Sequence, residues 1–277
     1  MNAATTTSDP ARPASGTRAR LPVLMYHEVA GRAQTESPLA VTPQTFADQL
    51  AYLDDAGFRT VTAAALPAAL AAGEPLDRTV VLTFDDGYAD FHAQALPLIS
   101  RHGFTATVFV TSGWVQDDGE WPDARRPGRM LSWSQVAEVA AAGIEIGAHS
   151  ARHPQLDQIP AGRLHEELYA SKARLEDKLG APVPGIAYPF GYSNARVREM
   201  ARAAGYGYGC AVRNTLAGPG AGLFAIPRLT VHRTTTLAQF RAMTDGHLTL
   251  PLLQDRALTR GYAVVRRTRA LLNGSAH

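Results

Sequence analysis

Val80-Val81-Leu82-Thr83-Phe84-Asp85-Asp86-Gly87 is a short apolar, β-branched and aromatic run that ends on two adjacent carboxylates and a glycine. The run reads as a buried strand. Two carboxylates side by side at a strand end repel each other, and a divalent cation resolves that repulsion. Gly87 lets the backbone turn sharply, so both side chains could face one pocket instead of the opposite faces that a continuing strand imposes. For these residues alone, an Asp-Gly turn with solvated acids is the plain alternative.

Working outward, the same kind of run recurs at Pro22–Tyr26, Ala106–Val110, Ile144–Ala148, Gly185–Tyr188, Gly209–Val212 and Ala225–Val231. Helical patterns lie between them. Phe46, Leu50 and Leu53 recur at helical spacing after Thr42-Pro43, a cap followed by proline in the first turn, and Gly57 closes that helix. Ser132 and Gln135 have capping-box spacing at the head of a helix that stops at Gly143. Two more run from about Ala161 to Leu179 and from Asn194 to Ala204, each meeting a glycine. Strand alternating with helix predicts an α/β fold with a parallel sheet, either open and doubly wound or closed as a barrel. In both, chemistry belongs at the C-terminal ends of the strands. Ser112–Arg129, carrying Trp114, Asp117, Asp118 and Trp121, is rich in Gly and Pro and is expected to be a surface loop at that end.

His149-Ser150-Ala151-Arg152-His153 directly follows the run Ile144-Glu145-Ile146-Gly147-Ala148. Imidazoles four apart share one face of a helical turn, which is metal-ligand spacing. Ser150 stands where the zinc-protease helix motif needs glutamate, so that motif is excluded. Both chemical motifs end strands and belong on one rim. Two histidines and a carboxylate make a three-ligand site with open positions, as in hydrolytic zinc enzymes. Asp86, His149 and His153 are the expected ligands, and Asp85, free of the cation, is the expected general base. A general acid is still needed. His232, after Leu229-Thr230-Val231, ends a strand and suits that role, and His27, after Met25-Tyr26, competes for it. For each, a plain structural histidine is an equal reading.

The 277 residues, 45% hydrophobic and 19% charged, describe a folded globular chain and not a disordered polyelectrolyte. The 27 basic and 25 acidic residues leave +2, which gives no electrostatic case for nucleic acid. Cys210 stands alone, excluding an internal disulfide and a cysteine-built zinc site. No apolar run has the length of a membrane span and Met1 to Arg20 lacks the apolar run of a secretory signal, so a cytoplasmic location is expected. Arg256 to Arg269 is arginine-rich and weakly helical: a solvated helix face, or peripheral contact with anionic lipid or a partner.

From Leu21 to His232 the chain resembles the polysaccharide deacetylases with the NodB homology domain, carbohydrate esterase family four. The resemblance rests on Thr83-Phe84-Asp85-Asp86-Gly87, on the His149…His153 pair and on Ala187-Tyr188-Pro189-Phe190-Gly191. Leu24-Met25-Tyr26-His27 and Ile226-Pro227-Arg228 are similar to the branch acting on exopolysaccharides such as poly-N-acetylglucosamine. It implies a distorted (β/α) barrel of about seven parallel strands and removal of acetyl groups from N-acetylated sugars. Zinc is the implied cation, with cobalt, nickel or manganese as alternatives. It further implies Asp85 as base, Asp86, His149 and His153 as ligands, and Tyr188, Pro189 and Phe190 at the substrate, with the Phe190 N–H at the oxyanion. Two departures stand out. Ala187 occupies the position where many members carry the arginine that orients the base, leaving Arg228 as the candidate for that task. The family's Leu-x-His is matched only loosely by Thr230-Val231-His232. The resulting domain plan is a disordered arm at 1–20, a catalytic domain at 21–250 and an arginine-rich helix or tail at 251–277. Rival readings are a hydrolase of other amides or cyclic ureides on the same scaffold, or a non-catalytic glycan-binding homologue. Trp114, Trp121, Tyr88 and Tyr192 near the rim favour sugar, because aromatic faces stack on pyranose rings.

Overall fold

The structure, a computed structural model, describes residues 20–31, 35–72, 76–115, 129–218, 220–258 and 261. Seven strands run parallel and close on themselves. These are β1 (Val23–Tyr26), β3 (Thr79–Phe84), β4 (Thr107–Val110), β5 (Glu145–Ala148), β6 (Gly185–Ala187), β7 (Tyr208–Val212) and β8 (Ile226–Thr230). Their order is β1-β8-β7-β6-β5-β4-β3, and β3 pairs back onto β1 with Val23 opposite Val81. The two-residue β2 (Arg59–Thr60) lies outside the ring, paired to β3. Of the two parallel-sheet architectures open to the sequence, the closed barrel is therefore the one adopted.

Strand residues alternate strictly between two apolar layers. Leu24, Tyr26, Val80, Leu82, Phe84, Val108, Ile146, Ile186 and Leu229 point outward into the layer shared with the helices. Val23, Val81, Phe109, Ala187, Tyr208, Cys210 and Ile226 point inward, and Leu21, Ala63, Leu66 and Leu76 belong to the same cluster. Period two is what a pleated strand requires, and here both faces are dry because helices cover the outside. The outer layer is anchored by a ring cluster in which Phe84 packs on Tyr26, Phe46 and Phe91 at centroid distances of 5.1, 5.7 and 4.8 Å.

The covering helices begin and stop where the local chemistry says. Thr42 caps α1 (Pro43–Asp55) through the N–H of Thr45. Ser132 and Gln135 form the reciprocal capping box of α4 (Trp133–Ala141), and Gly180 ends α5 (Ala161–Leu179) in the left-handed conformation. Asn194 caps α6 (Ala195–Ala203). Elements without such signals escaped the sequence reading. The helix α2 (Ala65–Ala72) is alanine and leucine around Pro67 with no polar face, and α3 (Leu96–Arg101) is a short continuation of a π turn; α7 (Leu237–Thr244) also went unread, although Thr236 and Gln239 form a capping box at its head.

Residues 250–258 are helical, so helix begins six residues before Arg256. The arm at 1–19, loop residues 116–128 with Asp117, Asp118 and Trp121, and residues 262–277 lie outside the described residues. No described helix is long and apolar enough to cross a membrane.

Replacing Phe84 with Ala should lower the urea-unfolding free energy by about 3–5 kcal/mol, the cost of emptying a buried aromatic site. A change of only about 0.5 kcal/mol, typical of a surface substitution, would show that the ring cluster does not anchor the outer layer.

Candidate active site

The inward register leads directly to the polar end of the barrel. Continuing every second residue from Val81, Gly147 and Arg228 reaches Asp85, His149 and His232, and from Met25 it reaches His27. All four line one cleft of about 540 Å³ at the C-terminal ends of the strands. Asp86, one residue out of register, also lines it. Its backbone sits at φ +74 and that of Gly87 at φ +87, a left-handed pair that swings the second carboxylate back over the barrel mouth. A Cβ on Gly87 would sit 3.3 Å from a Val110 methyl, a tight contact added to the φ that already favours glycine there.

His149 and His153 converge by a different route from the one expected. Residues 149–153 form no helical turn; Ser150 at φ +64 and His153 at φ +61 kink the chain instead. The kinks bring the imidazoles to a centroid distance of 4.9 Å. Non-glycine residues held in this region cost of order 1–3 kcal/mol each, and such strain collects at functional sites.

Asp86, His149 and His153 each offer one ligand atom, and these atoms lie within 4.8 Å of one another. His149 Nε2 and His153 Nε2 are 3.4 and 3.3 Å from Asp86 Oδ1. That oxygen is buried and has no hydrogen-bond partner. His149 Nδ1 donates to the Ala187 carbonyl at 2.8 Å, which leaves the Nε2 lone pair facing the carboxylate. Burial holds both rings neutral, His153 down to about 3 with His149 adding to the effect. Burial, the Asp85 charge and Glu28 push the Asp86 carboxyl up to about 8, against a hydrogen bond from Tyr88. Two neutral imidazole nitrogens around an orphaned, destabilised carboxylate oxygen fit a divalent cation of borderline softness.

Asp85 is treated in the opposite way. Burial alone would raise its carboxyl, but the Arg228 guanidinium and His149 overcome that and hold it well below the usual range. Arg228 Nη1 and Nη2 donate to Asp85 Oδ1 and Oδ2 at 2.6 and 2.7 Å, and both side chains are buried. Nη1 also donates to Thr83 Oγ1 at 3.2 Å, and the guanidinium lies 5.5 Å from the Phe109 ring centroid. The arginine absent at Ala187 thus reaches Asp85 from β8.

The remaining expected residues divide. His232 Nε2 lies 2.8 Å from Asp255 Oδ2, a carboxylate from the 250–258 helix for which no sequence motif prepares the reader. His27 is driven down to about 4 by burial, and its Nδ1 has no partner. Phe190, at φ +60, exposes its ring on the rim 4.7 Å from that of His153. Tyr188 and Pro189, expected at the substrate, are buried beneath it. The Tyr188 hydroxyl donates to the Phe224 carbonyl at 3.1 Å, so both residues shape the turn that presents Phe190 without lining the cleft. Gly191 permits the turn, since a Cβ there would meet Val212 at 2.4 Å. Trp114, Tyr88 and Tyr192 do line the cleft.

Geometry of this kind defines a barrel hydrolase, and comparison with known proteins narrows the class. The family model described as polysaccharide deacetylase matches residues 72–209, and the chain belongs to that family, whose members are hydrolases of carbon–nitrogen bonds other than peptide bonds. YxkH of Bacillus subtilis is 27% identical over 229 residues, 82% of this chain and 77% of that protein. The Escherichia coli poly-β-1,6-N-acetyl-D-glucosamine N-deacetylase is 27% identical over 134 residues, 46% of this chain but 20% of that protein. Among solved structures, the Streptococcus pyogenes deacetylase PplD in complex with acetate superposes with a TM-score of 0.73 at 25% identity, covering 82% of this chain and 99% of that one. His27, Arg228, His232 and Asp255 all fall outside the stretch that the family model matches.

Replacing Arg228 with Met should strand the Asp85 charge inside the barrel, lowering the unfolding free energy of metal-free protein at pH 7 by about 3–5 kcal/mol. A carboxyl held below its unfolded value stabilises the fold above about pH 4 and loses that contribution as pH falls toward the depressed value. The gap between wild type and variant should therefore narrow below about pH 4; a gap that does not depend on pH would show that the ion pair is not its source.

Proposed function

We propose that the chain is a divalent-cation-dependent N-deacetylase acting on an N-acetylated amino sugar or its polymer, of the poly-N-acetylglucosamine kind. The observation that carries this reading is the meeting of Asp86, His149 and His153 around the orphaned Asp86 oxygen, directly beside an Asp85 kept anionic by Arg228. The relative in E. coli named for poly-β-1,6-N-acetyl-D-glucosamine supports the substrate class. So do the aromatic side chains of Trp114, Tyr88 and Tyr192 along the cleft, whose faces suit pyranose rings.

Asp86, His149 and His153 would hold the cation, zinc by preference from the nitrogen-rich donor set, with cobalt, nickel or manganese as alternatives. When bound, such an ion would polarise the acetamide carbonyl and lower the pKa of water to about 7. Asp85 takes the proton of the attacking water. Its two oxygens each keep a lone pair beyond those given to Arg228, so it can accept without leaving the guanidinium. Arg228 fixes the plane of that carboxylate and keeps it charged, so the two neighbouring acids play different parts: one anionic acceptor, one ligand. The Phe190 N–H, presented by the left-handed turn next to His153, is the donor for the developing oxyanion. His232 protonates the departing amine, its ring oriented by Asp255. His27, held neutral by burial and lacking a carboxylate partner for its Nδ1, is the weaker candidate for that role.

Two measurements test the reading. Purified protein supplied with zinc or cobalt should hold about one ion per chain by elemental analysis, and a chain that takes up none removes the site. Acetate release should be seen with N-acetylglucosamine oligomers, or with nucleotide- or lipid-linked N-acetylglucosamine. Asp85→Asn should abolish release while leaving the ion bound. Inactivity on the whole panel favours the ureide or glycan-binding alternatives, and unchanged activity in the Asn variant removes Asp85 as base.

A further inference from the structure

Nothing at the cleft itself explains why the chain from His149 to His153 holds its two left-handed kinks, neither of them at a glycine. The explanation lies behind it, on α5. Glu167 is a buried carboxylate on the face of that helix turned toward the barrel. Its Oε2 accepts from the backbone N–H of Ala151 at 2.9 Å and of Arg152 at 2.8 Å, the two residues between the kinks. Its Oε1 lies 3.4 Å from Arg152 Nη1. These are charge-assisted bonds in a dry setting, about twice as strong as neutral ones.

The rest of the turn is tied to itself, to β4 and to the segment after β4. The His149 N–H donates to the Val110 carbonyl at 2.8 Å, and the His153 N–H donates to Ser150 Oγ at 2.9 Å. The carbonyls of Ser150 and Ala151 accept from the N–H groups of Ser112 and Gly113 at 3.2 and 2.9 Å. Remove Glu167 and the N–H groups of Ala151 and Arg152 lose the acceptor that holds them in this shape. Buried backbone donors do not stay unpaired. The chain would relax toward an ordinary turn, and with it the angle between the two imidazoles.

We infer that Glu167 is a positioning residue for the cation site, its carboxylate pinning the kinked turn that aims His149 and His153 at Asp86. The inference rests on the cation reading given above. Glu167 touches neither cation nor substrate. It sets geometry through the backbone, as groups one layer behind a metal's ligands do, where substitution commonly costs 10–100-fold in metal affinity.

The test is Co²⁺ titration of chelator-stripped full-length protein against a competing chromophoric chelator, together with the visible spectrum of the Co²⁺ form and thermal unfolding without metal. Four variants are compared. Glu167→Ala removes the acceptor, Glu167→Asp keeps the charge but withdraws it by one methylene, and Glu167→Gln keeps an oxygen at the original reach. Glu166→Gln changes the exposed neighbour, whose carboxylate faces Arg163 at 3.7 Å. Ala and Asp should bind Co²⁺ about 10–100-fold more weakly with an altered spectrum, Gln should recover most of the affinity, and the Glu166 variant should match wild type. If the Ala variant does not fold, the Asp and Gln variants decide. Wild-type affinity and spectrum in folded Ala and Asp variants, with only their melting temperature lowered, would make Glu167 structural and overturn the inference alone. Wild-type protein that binds no Co²⁺ overturns the cation reading as well.

Discussion

A guanidinium and a carboxylate buried together inside a closed barrel are the constraint around which this molecule is arranged. Arg228 and Asp85 are out of water, joined by two short parallel hydrogen bonds. Burying either alone would be prohibitive, and burying both is tolerable only with good geometry; Nη1 and Nη2 are satisfied by Asp85 and Thr83, while Arg228 Nε is left without a partner. The barrel supplies that geometry because β8 and β3 both flank β1, so inward residues near their C-terminal ends face each other across a narrow interior.

Once Asp85 is neutralised in this way, the fate of Asp86 follows. Its neighbour's charge and its own burial raise its carboxyl, while the imidazoles beside it are kept neutral. Ion pairing with the histidines cannot relieve it, because burial removes their protons. A cation can. The site is thus a concentration of unfavourable terms: left-handed backbone at Asp86, Ser150, His153 and Phe190, and an orphaned buried oxygen. Each is held by favourable contacts elsewhere, the aromatic cluster around Phe84 and the capped helices among them.

Much of this was legible in the chain. All seven barrel strands lie within a residue or two of the runs read from β-branched and aromatic content, because a strand buried on both faces has few polar residues to blur it. The helices α1, α4, α5 and α6 were legible through Thr42, Ser132, Gly180 and Asn194, whose side chains or backbone act locally. Elements lacking such local signals, α2 above all, were not. At the site, Asp85, Asp86, His149 and His153 announced themselves as motifs. The parity along each strand, by which Asp85, His149, Arg228 and His232 share the inward register, was also present but has meaning only once the register is known. Asp255 carried no signal at all.

The amino-acid sequence by itself determined which segments are strands, where most helices start and stop, and which two pairs of residues stand out as candidates for the chemistry, because these depend on interactions within a few residues. Only the tertiary structure decided that the sheet closes, that Arg228 reaches Asp85 across 143 positions of chain, that Tyr188 and Pro189 support the turn from below, and that the histidines meet through kinked backbone and not a helical face. Those outcomes depend on contacts between residues far apart in the chain. Which carboxylate a guanidinium finds, and which N–H a buried glutamate accepts, are settled by packing that no local pattern encodes.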